Sequence, residues 1–292
     1  MSRVRAFLRL VAVEHSVFAL PFAYLAAVTA MRDEGSRPFT INRFQGGRLV
    51  LITVAMVAAR TFAMATNRII DRHIDAGNPR TAQRELVTGV VSVRTAATGA
   101  GVALGVFLGC AGALGLLPLL LAPLALAPLV VYPYAKRFTD YPHAVLGLAQ
   151  AVAPIGAWIA VTGRWSWPAV LLGGAVGLWI AGFDLIYACQ DTESDRVQGV
   201  RSLPARYGNA VALRVSSGAH VVVFGLFVAF GLVEGYHWIW YAGLVATAVS
   251  FGYQHRIVSP SDLRRVNRAF FTSNGFVGLA LGACAILDMM VL

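Results

Sequence analysis

Residues 46–66 read GGRLVLITVAMVAARTFAMAT and run without a break into NRIIDRHID at residues 67–75. The first part is almost wholly apolar and as long as a bilayer core requires, since a spanning helix takes roughly 20 apolar residues. The second part sets Asn67, Asp71 and Asp75 four residues apart with basic residues between them. On a helix such positions share one face. The stretch therefore predicts a membrane helix whose end carries a stripe of two carboxylates and an amide.

The rest of the chain supplies the same solvent. Of its 292 residues, 58% are hydrophobic and 13% charged, about half the roughly 25% charged content of soluble domains. Nine apolar runs are long enough to span: about 10–31, 46–66, 95–114, 115–135, 143–162, 168–190, 210–232, 236–254 and 270–291, with a soft boundary near Gly115–Pro118. These predict an all-α, multi-pass membrane protein with nine transmembrane helices in one domain, residues 1–292. The basic start MSRVRAFLRL leads into a run holding Glu14 and His15, which does not read as a cleavable signal peptide. Cys110, Cys189 and Cys284 have no metal or disulfide spacing.

The net charge of +10 would suggest nucleic acid in a soluble protein. Its distribution argues against that partner. Eighteen of the 24 lysines and arginines fall at the N-terminus or after the even-numbered spans. Positive charge marks the cytoplasmic side, so the N-terminus and those loops are expected there, in an inner (cytoplasmic) membrane. Membrane lipid and an anionic substrate are the expected partners.

A second stretch, YACQDTESD at residues 187–195, follows the sixth span on that same side. Matching Asn67 to Tyr187 sets Asp71 on Asp191 and Asp75 on Asp195. Each acidic pair is followed by arginines, Arg80 and Arg84 in one segment (67–94) and Arg201 and Arg206 in the other (191–209). Such a match suggests an internal duplication. A lone pair of aspartates at a helix end is usually a solvated face; two at corresponding places, each with an Arg-rich loop, point to chemistry. Carboxylates one turn apart repel, and a divalent cation would offset the repulsion. Mg²⁺ takes one or two carboxylates together with substrate phosphates, so two facing pairs suit Mg²⁺ ions holding a diphosphate, with arginines on the phosphate oxygens.

Arg60 and Asp184 each precede a motif by seven residues, nearly two turns and about 10 Å deeper. Intramembrane charges are functional candidates; an ion pair between these two and contact with substrate both stand open. Glu14 and His15 lie at about the depth of the motifs. YPYAKRFTD, residues 132–140, ends the fourth span on the motif side with Tyr132, Tyr134, Lys136 and Arg137, either as an interface anchor or as part of a site. His220 reads as a packed core residue, and His237, Trp238 and Trp240 as an aromatic belt on the far face.

NRIIDRHID, YACQDTESD and YPYAKRFT at these positions resemble the motifs of the UbiA family of intramembrane prenyltransferases, over nearly the whole chain. EHSVFALPFAYLAA, NPRTAQREL and DLIYACQDTESDRVQGVRSLPARYG are most similar to its 4-hydroxybenzoate-polyprenyltransferase-like members, and more narrowly to the branch serving menaquinone synthesis by the futalosine route. The resemblance implies Mg²⁺-dependent transfer of a polyprenyl group from its diphosphate to a ring carbon of an aromatic acid in quinone biosynthesis, of the ubiquinone or menaquinone type, through an allylic cation. The acceptor would be 4-hydroxybenzoate or a dihydroxynaphthoate. Asp71, Asp75, Asp191 and Asp195, with Asn67, would hold the metal. Arg72, Arg80, Arg84, Arg201 and Lys136 would meet the diphosphate, Tyr134 and Tyr187 would complete the substrate pocket, Arg60 or an arginine near the first span would pair with the acceptor's carboxylate, and Asp184 would orient its hydroxyl. Two departures stand out: Tyr187 replaces a second asparagine, and Gln190 stands where some relatives carry a basic residue. Alternatives are another acceptor within the family (haem, chlorophyll or an archaeal lipid) and, in a different class, a transporter.

Overall fold

The computed structural model describes residues 7, 10–11, 19–35 and 43–291; Glu14 and His15 lie outside them. The long helices are α1 Leu20–Glu34, α2 Arg43–Gly77, α3 Val93–Leu114, α4 Leu116–Phe138, α5 Pro142–Thr162 and α6 Trp167–Ala188. A 3₁₀ turn, Cys189–Asp191, leads into the short helices α7 Thr192–Gln198 and α8 Leu203–Tyr207. Then come α9 Asn209–Val233, α10 Trp238–Ile257, a π-helical turn Arg268–Ser273 and α11 Asn274–Val291. The only strand-like feature among the described residues is one bridge between Ser259 and Asp262.

Seven helices are long and apolar enough to cross a bilayer: Phe44–Gly77, Val93–Leu114, Leu116–Phe138, Pro142–Thr162, Trp167–Gln198, Asn209–Val233 and Arg268–Val291. The protein is an all-α integral membrane protein. Of the nine expected spans, the first is described as a continuous helix only over Leu20–Glu34, 15 residues, and Trp238–Ile257 falls short of the same standard. Exposed valines and leucines such as Val50, Val54, Val102, Leu120, Leu124, Val222 and Val249 lie along several helices, a surface that water would not tolerate over such an area. Three prolines, Pro123, Pro128 and Pro133, sit inside α4; membrane helices accept such residues because neighbours re-satisfy the freed backbone groups.

Two local devices set the packing. The α3–α4 hairpin is closed by the single residue Gly115 at φ +146°, a conformation denied to residues with a Cβ. Helices α5 and α6 meet where Gly147 faces Gly177. A Cβ on Gly177 would lie 2.6 Å from the Gly147 carbonyl oxygen, so two small residues let the backbones touch, as membrane helices commonly require. Helix α6 becomes the central post. Its Trp179 is fully buried, donates to Asn274 Oδ1 at 3.0 Å, and packs on Phe22 and Phe183.

At the far end, the Asp288 carboxylate accepts the backbone N–H groups of His237 and Trp240, each at 2.9 Å, at the start of α10. Trp240 is fully buried against Phe227, Phe230 and Tyr236 rather than part of an interfacial belt, whereas Trp238 is exposed. Trp240 is the third residue of α10, and two positions of helical rotation from the exposed Trp238 turn it toward the core. His220 is a core residue, its Nδ1 within 2.8 Å of His255 Nε2 and 3.0 Å of Gln254 Nε2.

Gly177→Val is expected to cost about 1–3 kcal/mol through overpacking at the α5–α6 contact. Gly101→Ala, with nothing within 4 Å of the new Cβ, is expected to be neutral or slightly stabilising. Thermal unfolding of both variants in detergent checks the contrast; equal midpoints would remove the glycine contact as a packing determinant.

Candidate functional site

The helix that holds the apolar run does not stop at residue 66. The helix continues to Gly77 and carries all of NRIIDRHID on its last turns, so Asn67, Asp71 and Asp75 share a face as their spacing requires. The second motif is built differently. α6 tightens into the 3₁₀ turn at Asp191, and Asp195 lies on α7 after it. Both segments nonetheless line one cavity of about 190 Å³, which takes in Asn67, Asp71, Asp75, Tyr187, Asp191 and Asp195. Lys136 and Tyr132 come from α4, His143 from α5, Asp184 from α6, and Arg80, Arg84, Arg201 and Ser202 from the two loop segments.

Each carboxylate is held by a partner of its own. Asp71, 1% exposed, meets Lys136 Nζ at 2.6 Å and Arg137 Nη1 at 3.3 Å, and accepts from Asn67 Nδ2 at 3.1 Å. Asp75 meets Arg84 Nη1 at 2.5 Å. Asp195 accepts from Ser202 Oγ at 2.8 Å, and the same oxygen accepts the N–H of Ala205 at the start of α8. Asp184 meets His143 Nδ1 at 2.6 Å.

Asp191 is served across the repeat. Arg80, from the loop after the first motif, grips it with Nε at 2.8 Å and Nη2 at 2.5 Å, while Asn78 Nδ2 donates at 2.9 Å. The third arm of Arg80 donates to the Tyr187 hydroxyl at 3.0 Å, with the guanidinium 5.0 Å above that ring. Asn78 Oδ1 accepts the backbone N–H of Arg80 at 2.9 Å, fixing the turn that presents the fork, a frequent use of asparagine. Burial works against the Arg80 charge, but its contacts with Asp191 outweigh that, and its pKa is raised.

The positions assigned from the sequence divide accordingly. Asn67, Asp71, Asp75, Arg80, Arg84, Lys136, Asp184, Tyr187, Asp191, Asp195 and Arg201 line the cavity; Arg60, Arg72 and Tyr134 do not. Arg72 follows Asp71 by one residue, about 100° around the helix, so it is exposed and reaches only the Ile69 carbonyl at 3.2 Å. Tyr134 is 45% exposed beneath Arg137, while Tyr132, one turn before Lys136, lines the cavity in its place. Arg201 is also tied to Asp140, at 2.9 Å. The Asp184 carboxylate is held by His143. Asn78, His143 and Ser202 were not singled out from the sequence. Asn78 sits between the two motifs' partners in NPRTAQREL, and His143 is a lone polar residue opening an apolar run; neither signal is specific.

The donor set is all oxygen and suits a hard divalent cation. Among the described residues no three His, Cys, Asp or Glu side chains converge as a ready cage, so the carboxylates offer separate ligands around the cavity. A second cleft of about 390 Å³ lies at the opposite end of the bundle, between Arg32, Asp33 and Glu234; it contains none of the motif residues.

The sequence matches the UbiA prenyltransferase family over residues 19–275. Among curated proteins it is 32% identical to a 4-hydroxybenzoate octaprenyltransferase of Nitrosospira multiformis over 244 residues, 83% of each chain. It is 34% identical to one of Alcanivorax borkumensis, over 82% of this chain and 81% of the other. Among solved structures, a UbiA homolog from Aeropyrum pernix K1 aligns over 95% of this chain and 98% of that one, with TM-score 0.82 and 35% identity. A UbiA homolog from Archaeoglobus fulgidus, bound to GPP and Mg²⁺, shares the fold at TM-score 0.74 and 20% identity, over 98% and 100% of the two chains.

Arg80→Ala is expected to lower the unfolding midpoint by a few degrees, because it leaves a half-buried carboxylate on Asp191 without its cation. Arg72→Ala, which removes an exposed side chain, is expected to stay within about one degree, as surface changes usually do. Equal midpoints in detergent would mean that the cross-repeat fork does not help hold the two segments together.

Proposed function

Because the chain belongs to the UbiA prenyltransferase family, we propose that this membrane prenyltransferase moves a polyprenyl group from its diphosphate to a ring carbon of 4-hydroxybenzoate or a closely similar hydroxylated aromatic acid. The acceptor is inferred from the curated relatives named 4-hydroxybenzoate octaprenyltransferase, at 32–34% identity over more than four fifths of the chain. The observation that carries the reaction is the gathering of Asp71, Asp75, Asp191 and Asp195 around one cavity with Arg80, Arg84, Lys136 and Arg201. That arrangement pairs metal ligands with phosphate ligands in one small volume.

In this reading Asp71, Asp75, Asp191 and Asp195, with Asn67, would hold Mg²⁺, which would supply positive charge to offset that of the diphosphate. Arg80, Arg84, Lys136 and Arg201 exchange part of their carboxylate contacts for phosphate oxygens and stabilise the charge that grows on the leaving group, the contribution usually worth most in catalysis. The allylic carbon is then attacked by the electron-rich ring, in a site walled from water by helices, which limits hydrolysis. Arg60, two turns deeper on α2, is the candidate cation for the acceptor's carboxylate. The prenyl tail leaves between helices into the bilayer. The basic excess on the motif side argues for a cytoplasmic-facing site in the inner membrane, with residues 1–292 as one transmembrane domain. A transporter would place its binding groups near the bilayer midplane, whereas the motifs stand at helix ends.

Purified protein with Mg²⁺, geranyl diphosphate and a panel containing 4-hydroxybenzoate and a dihydroxynaphthoate is expected to release diphosphate and yield prenylated 4-hydroxybenzoate by mass spectrometry. Prenylation of the naphthoate alone would reassign the acceptor. Asp71→Ala and Asp191→Ala are each expected to reduce transfer by about 10²–10³-fold or more in protein that is still folded, although each also lowers the unfolding midpoint in detergent by a few degrees, as Arg80→Ala does. Near-normal turnover in either would sink the metal-ligand assignment.

A further inference from the structure

The pair His143–Asp184 has no role in holding the diphosphate, yet it sits in the wall of the same cavity. Its geometry is specific. Asp184 Oδ2 lies 2.6 Å from His143 Nδ1, and an ionised carboxylate can only accept. The imidazole proton therefore stands on Nδ1, which leaves Nε2 as a bare acceptor when the ring is neutral. His143 is 6% exposed, and its Nε2 is buried with no hydrogen-bond partner. A few other buried polar atoms also lack partners, on Arg68, His220, Trp240, Gln254 and Ser273, but none of those residues lines the cavity. Buried polar groups are rarely left unpaired, and an unfilled acceptor on a residue that lines the cavity points to a missing donor. The cavity's other titratable walls include Tyr132, Lys136, Tyr187 and Asp195, with no second imidazole among them.

We infer that His143 Nε2 receives the hydroxyl of the aromatic acceptor and takes its proton as the ring attacks, with Asp184 as a positioning residue that fixes the tautomer. This deepens, and rests on, the aromatic prenyl transfer proposed above. The balance is complete. The carbon–oxygen bond to diphosphate breaks and its electron pair leaves with the diphosphate. A ring carbon ortho to the hydroxyl forms the new carbon–carbon bond as the O–H proton passes to Nε2, giving a neutral dienone. Loss of the ring proton to the departed diphosphate restores aromaticity, and His143 returns its proton to the oxygen. The dyad thus raises the electron density of the ring when the allylic carbon needs a nucleophile, and it selects acceptors bearing a ring hydroxyl.

The test is steady-state kinetics with geranyl diphosphate and two acceptors, 4-hydroxybenzoate and a ring-fluorinated analogue with a more acidic hydroxyl, over a range of pH. His143→Ala and His143→Gln are expected to lower kcat about 100-fold or more, within the 10²–10⁴ range of general base catalysis, while the KM for geranyl diphosphate stays within about twofold. The glutamine variant keeps an acceptor atom but cannot take a proton, so it separates proton transfer from mere positioning. The loss is expected to be smaller with the fluorinated acceptor, and the acidic limb of the kcat profile to disappear. Asp184→Asn is expected to lower kcat in the same direction, since an amide can hold the ring in either tautomer. A wild-type pH profile and kcat in His143→Gln, or the same loss with both acceptors together with a raised diphosphate KM, would overturn the assignment. Absence of transfer in the wild-type protein would instead overturn the reading on which it rests.

Discussion

Four carboxylates placed where an apolar bundle meets its polar edge cannot stand bare. Each charge moved out of water costs several kcal/mol unless a partner restores the lost solvation, and each site aspartate in this protein has one. Lys136 and Arg137 cover Asp71, Arg84 covers Asp75, Arg80 covers Asp191 and Ser202 covers Asp195. Much of the architecture at this end follows from that requirement. The helix ends of α2, α4 and α6 must converge, and the loop 78–92 must fold back over the cavity to deliver Arg80 and Arg84. The same partners that neutralise the aspartates are the groups an incoming diphosphate would need, so neutralisation and substrate recognition draw on one set of side chains.

The bundle behind the site supplies rigidity rather than chemistry. Helix α6 is buried on nearly every side. It carries Asp184 and Tyr187 to the cavity because Gly147 and Gly177 let α5 close on it and because Trp179 is anchored to Asn274. A post fixed at both places gives the His143–Asp184 contact a constant geometry, since His143 rides on α5 and Asp184 on α6. The contact between the two helices is therefore also the support of the dyad.

Periodicity made much of this legible. The four-residue spacing of Asn67, Asp71 and Asp75 places them on one helix face, and the continuation of α2 to Gly77 keeps that face intact. The same geometry turns Arg72 and Tyr134 away from the cavity, because one or two residues along a helix rotate a side chain out of line. Trp240 departs from its expected belt for a related reason, since a tryptophan near a helix start looks interfacial until its face is known to point inward. The match between the two halves also held only in part. The second motif passes through a 3₁₀ turn at Cys189–Asp191, and its Asp191 is served by an arginine from the first half rather than by Arg201.

The sequence by itself determined the solvent, the helical class and the two acidic segments, because hydrophobic length and four-residue spacing are properties of single segments that any neighbour leaves unchanged. Only the tertiary structure decided which cation answers which carboxylate and which groups remain unanswered. Arg80 and Asp191 are 111 residues apart in the chain, and His143 and Asp184 are 41 apart. Such pairings depend on how helices cross and rotate against one another, which is fixed by packing at Gly147, Gly177 and Trp179 and not by any local pattern of charge.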